Sequence, residues 1–103
     1  MPGNRVFFEE AIQKANDSVW AEQWREAASA YRQALAEFPD NDSALMGYAW
    51  ALLNAEERDE ALKVYERLTQ ITPADPGPWE RVAEILDRKG DKRRAADTYV
   101  QAA

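Results

Sequence analysis

The sequence predicts an all-α protein built as a stack of helical hairpins, and three observations carry that prediction. Ala15, Ala49 and Ala83 recur every 34 residues, and Ala27, Ala61 and Ala95 keep the same interval. So do Tyr31, Tyr65 and Tyr99, and so do Pro39 and Pro73. A repeat of this length is one supersecondary unit that cannot bury its apolar face alone, and helix-turn-helix is the unit that fits 34 residues.

Six helices follow in order. The first, predicted over 5–21, carries an apolar stripe of Phe8, Ile12, Ala15 and Val19, spaced four, three and four, which makes one helical face. The second, over 24–37, ends at Pro39-Asp40-Asn41-Asp42, where Asn41 or Asp42 can cap the third, over 42–54. Between the third and the fourth (58–71) the segment Asn54-Ala55-Glu56-Glu57 has no glycine, so that turn rests on repeat phase alone. Thr72-Pro73-Ala74-Asp75-Pro76-Gly77-Pro78 closes the fourth, and its prolines suit a linker and a first helical turn. The fifth, over 77–89, meets Gly90 at the position of a left-handed C-cap, and the sixth covers 92–102.

A chain of 103 residues is one domain, long enough to bury roughly 65% of its unfolded surface. The net charge of −6 argues against a nucleic-acid or anionic-membrane surface, which needs a basic stripe. The charge is uneven: −3 over residues 1–41, −4 over 42–75 and +1 over 76–103. Without cysteine or histidine the chain lacks the commonest zinc ligands, the commonest general base and any thiolate chemistry. Nor is there a phosphate-binding glycine loop or a nucleophile elbow. No cofactor, no metal and no enzymatic activity are expected. No apolar run approaches the ~20 residues of a membrane span, and Met1–Arg5 is too short and polar for a secretory leader. A soluble, cytoplasmic protein is the expectation.

Laid on the 34-residue phase, the third unit reads Trp79, Val82, Ala83, Leu86, then Ala95, Tyr99, Ala102. The second reads Leu45, Tyr48, Ala49, Leu52, then Ala61, Tyr65, Leu68, Pro73, and the first Ala11, Lys14, Ala15, Ser18, then Ala27, Tyr31, Ala34, Pro39. This resembles the tetratricopeptide repeat family. The resemblance implies a right-handed α-solenoid of three repeats and six antiparallel helices: an N-terminal segment 1–7, then units 8–41, 42–75 and an incomplete 76–103. Lys14 and Ser18 stand where apolar residues belong, so a rotated first helix is expected. The chain stops at Ala103 before a third closing proline, which points to excision from a longer array or to self-association through that end.

The resemblance also implies a concave groove lined by the first helix of each repeat. By phase, Glu9, Ile12, Asn16, Val19 and Trp20 come from the first unit, and Ser43, Met46, Trp50, Leu53 and Asn54 from the second. Gly77, Glu80, Glu84, Asp87 and Arg88 come from the third. The groove begins apolar and aromatic and ends acidic. Trp79 and Trp24 have framework positions; Trp20 and Trp50 do not, and tryptophan with methionine and leucine is the composition of a binding hot spot. The packing alternative is that Trp50 lies against neighbouring helices and Trp20 staples a helix end. Glu80, Glu84 and Asp87 would favour a ligand with a basic end, unless they only pair with Arg81 and Arg88 along the helix.

Family members that hold the C-terminal carboxylate of heat-shock chaperones use a clamp of lysines, asparagines and an arginine. Those sites fall here on Ile12, Asn16, Gly47, Gly77 and Arg81, of which only Asn16 and Arg81 match, so that partner is disfavoured. The basic cluster Arg88, Lys89, Lys92, Arg93 and Arg94 lacks interleaved aromatics and reads as a favourable helix end rather than a nucleic-acid patch. Glu9-Glu10 and Glu56-Glu57 point in different directions on a helix and form no acid/base pair. The leading reading is an interaction module that binds a peptide or amphipathic helix of a partner protein in its groove. The alternative is a structural module that self-associates, or packs on another domain, through the groove or the C-terminal face.

Overall fold

The computed structural model describes residues 3–102, without the side chain of Ala102; the expectations placed on Ala102 and Ala103 lie outside its described side chains. Six α-helices follow one another: α1 Arg5–Trp20, α2 Trp24–Glu37, α3 Asp42–Asn54, α4 Arg58–Ile71, α5 Pro76–Arg88 and α6 Lys92–Ala102. Each packs on the helices adjacent in sequence, giving an elongated stack of 42 × 26 × 19 Å.

The repeated residues are the buried ones. Ala15, Ala49 and Ala83 are fully buried, as are Ala27 and Ala61, and Ala95 is nearly so. A methyl at these six positions lets paired backbones close up, and Tyr31 and Tyr65 fill the space beside them. The approach is closest at Gly47, where a Cβ would lie 2.4 Å from Cζ of Tyr31. The Tyr31 hydroxyl then donates to Oδ1 of Asn16 at 3.4 Å, tying α2 to α1. Among described residues, no buried side-chain nitrogen or oxygen lacks a hydrogen-bond partner.

The punctuation is as periodic as the core. Asn4, Asn41 and Asp75 cap α1, α3 and α5, accepting from the backbone N–H of Phe7, Ala44 and Gly77. The turns into α2, α4 and α6 each place one residue in the left-handed region: Glu22 (φ 56°), Glu56 (φ 65°) and Gly90 (φ 89°), again 34 apart. The same bond closes all three turns, with Gln23, Glu57 and Asp91 N–H donating to the carbonyls of Ser18, Leu52 and Leu86. The turn without a glycine therefore forms as phase required, with Glu56 in a conformation that costs an L-residue roughly 1–2 kcal/mol.

One expectation is corrected. α1 is not rotated: it buries Ala11, Ala15 and Ser18, the same phase as Leu45, Ala49 and Leu52 in α3. Phe8, Ile12 and Val19 are only half-buried. Lys14 is exposed because its counterpart Tyr48 packs against Arg32 of α2, whereas among described residues α1 has no preceding helix. A lysine suits the water it meets.

Candidate functional site

Two faces of the stack can be distinguished by the cavities that open on them. On one face α3 and α5 lie side by side, and a cavity of about 220 Å³ opens between Trp50 and Leu53 of α3, Arg58 at the start of α4, and Arg81, Glu84, Ile85 and Arg88 of α5. The other face is that of α2 and α4, with a larger groove of about 570 Å³ between them.

On the first face Trp50 is 41% exposed and Met46, one turn earlier, 36%. Leu53 and Val19 are half-buried beside the core, as is Ile12. The guanidinium of Arg81 lies 5.1 Å from the centre of the Trp50 ring, a cation–π contact that holds one face of the indole and leaves the other open. Asn54 turns its side chain inward, donating to the Trp50 carbonyl at 2.8 Å, which fixes the last turn of α3. Asn16 is exposed apart from its bond with Tyr31. Trp20 is 88% exposed, lines none of these cavities and staples nothing. Trp79, by contrast, donates its indole N–H to the Pro73 carbonyl at 3.1 Å, and Trp24 packs on the core; both have framework duties.

The acidic end of the groove is largely neutralised within the chain. Glu84 pairs with Arg81 at 3.1 Å and Asp87 with Lys92 at 2.6 Å, leaving Glu80 exposed without an ion pair among the described residues. The cavity itself is lined by three arginines and one glutamate. The selection for a basic ligand expected from the sequence therefore loses two of its three carboxylates to intramolecular pairs. Sequence phase missed Arg58, because it follows the first helix of each unit and Arg58 starts a second one. In the C-terminal basic cluster, Lys89 binds Asp59 at 2.6 Å, holding that carboxyl below its usual range, and Arg94 meets Glu66 at 3.3 Å. With Lys92 on Asp87, three of the five cations are engaged by carboxylates, as a plain helix-end role requires.

At the far end, Tyr99 is 46% exposed, although Tyr31 and Tyr65 at equivalent positions are buried. Among described residues no group of three or more histidine, cysteine or acidic side chains could hold a metal, and no helix is long and apolar enough to cross a membrane.

A family model described as tetratricopeptide repeat matches residues 19–85, more than half of the chain. The chain belongs to the tetratricopeptide repeat family. No curated protein matches it significantly. Solved structures of similar fold include a MamA RS-1 ArsTM double mutant, with 16% identity, a TM-score of 0.84, and 92% of this chain against 53% of that one. A chain of a CopN-Scc3 complex gives 14% identity and a TM-score of 0.87, over 92% of this chain and 56% of that one. MamA protein gives 13% and 0.86, over 96% and 54%. At such identities the likeness concerns the fold, and this tetratricopeptide chain spans about half the length of those structures. As in the family, its general role is protein–protein interaction or scaffolding.

Proposed function

We propose that the face built by α1, α3 and α5 is a groove that binds a peptide or amphipathic helix of a partner protein, with Trp50 at its centre. The observation that carries this is the exposure of Trp50 and Met46 on the middle inner helix. A large aromatic left half in water, beside Leu53 and stacked on Arg81, is the arrangement in which truncation costs a protein interface most. Ile12, Asn16, Val19 and Trp20 extend the surface towards α1; Glu80, Glu84 and Asp87 border it on α5. Glu80 is the carboxylate that remains to meet a basic end on such a ligand. The division into units at 8–41, 42–75 and 76–103 belongs to the same reading, since it sets which helices are inner ones.

The test uses peptides selected from a random helical library against the immobilised protein, then titrated in solution. Trp50→Glu should weaken the best of them at least ~30-fold, the equivalent of a ~2 kcal/mol hot spot, with the solution mass unchanged. A change of mass on that substitution would favour the alternative, in which the groove is spent on self-association. The exposure of Tyr99 supports a second reading, a helix of another domain or chain packed on α6.

A further inference from the structure

The groove between α2 and α4 has no part in the peptide-binding reading, yet it is larger than the cavity beside Trp50. Leu35, Val64 and Pro39 give it an apolar lining, and Arg32, Lys63 and Arg67 stand around it with no carboxylate among the lining residues. Arg32 is held in place by its Nε–H donating to the Tyr48 hydroxyl at 3.3 Å. Asp40 and Glu60 steady Arg67 and Lys63 from outside the groove. In a chain of net charge −6 this is a concentration of cations on an apolar floor.

The same chain carries a segment of complementary chemistry. Val6 and Phe7 at the start of α1 are 63% and 60% exposed, and Glu10 follows one turn later. The exposed pair at the other end, Tyr99 and Val100, follows the cations Lys92, Arg93 and Arg94 and has the wrong charge for this groove. Position adds to chemistry. Phe7 and Glu10 border a second depression, against Gln33 and Glu37 of α2, and exposed Ala36 lines both that depression and the cationic groove. Knob and hole therefore flank one ridge of α2. A ridge topped by a methyl lets a second helix approach closely, and a patch holding both halves of a contact can satisfy them twice about a two-fold axis.

We propose that this surface joins two copies of the chain: Phe7 of each enters the α2–α4 groove of the other, and Glu10 meets Lys63 and Arg67. The interface is isologous, closes at a dimer, and leaves the Trp50 face free.

Sedimentation equilibrium on the intact chain over a concentration series tests this. The expected result is a species of twice 11.7 kDa that weakens between about 0.01 M and about 1 M salt, as the screening length falls from about 30 Å to about 3 Å. Phe7→Glu and Lys63→Glu should each weaken it at least ~10-fold with unchanged helical circular dichroism. Glu10→Lys combined with Lys63→Glu should recover part of the loss. A monomer at every concentration overturns the proposal. So does a dimer that survives Phe7→Glu and Lys63→Glu, or one lost to Trp50→Glu or Tyr99→Glu instead.

Discussion

Gly47→Ala tests the packing logic of the stack more sharply than any larger change. The added methyl would lie 2.4 Å from Cζ of Tyr31 and 2.6 Å from its hydroxyl oxygen. Carbon atoms rest at ~3.5–4.0 Å, so the ring must retreat by more than ~1 Å. It has little room, being buried between α1, α2 and α3. Overpacking of this kind costs ~1–3 kcal/mol, while replacing glycine by alanine inside a helix returns ~1 kcal/mol. The net expectation is a loss of about 1 kcal/mol, or ~4–8 °C in Tm for a domain of this size. Tyr31→Leu removes the atoms that clash. In that background the same Gly47→Ala should become stabilising by about 1 kcal/mol, giving a coupling of about 2 kcal/mol. Urea unfolding of the four proteins, followed by helical circular dichroism, reads the cycle. Equal effects of Gly47→Ala in both backgrounds, within the ~0.5 kcal/mol typical of independent sites, would refute the close approach.

Gly90→Ala should cost about 1 kcal/mol in thermal unfolding although its Cβ would touch nothing within 4 Å, because the cost lies in the left-handed backbone. Asn41→Ala, which removes the acceptor for the Ala44 N–H at 2.9 Å, should cost about 1 kcal/mol, and Asn41→Asp much less. Leu68→Ala, at a fully buried position, should cost ~2–5 kcal/mol. Burial pushes the phenols of Tyr31 and Tyr65 above their ordinary value. A raised folded-state pKa means that their contribution is complete below the unfolded value near 10 and is lost as pH rises through the folded value. Alkaline unfolding should thus begin above about pH 10, and the ultraviolet phenolate titration should lose its late component in Tyr65→Phe. A titration identical in Tyr65→Phe would contradict that burial.

Most of the fold was legible because its determinants are local and repeated. The six buried alanines and the caps at Asn41 and Asp75 recur at one interval, and each needs only its own size or its own side-chain acceptor. The turn at Glu56 was legible only through phase, since a glutamate in the left-handed region leaves no mark in the sequence. Lys14 misled because its exposure depends on whether a helix precedes α1, which no residue within α1 records. The candidate site was legible in outline. Phase put Trp50, Leu53 and Glu84 on one surface, but it could not show Arg81 turning its guanidinium over Trp50, or Arg58 reaching in from α4. Nor could it show Asp87 choosing Lys92; with five cations close by in sequence, that choice belongs to rotamers. Trp20, free of any packing in the fold, looked the same in sequence as a staple.

The central claim is that the α1–α3–α5 face, and not the rest of the surface, receives a partner. The four tryptophans offer a direct reading, because each indole N–H gives its own resonance in a nitrogen–proton correlation spectrum. With a library-selected peptide added stepwise, the Trp50 resonance should move, and with it Trp20, while Trp79, bonded to the Pro73 carbonyl, and core-packed Trp24 stay in place. Saturable binding that leaves the Trp50 resonance unmoved would contradict the account.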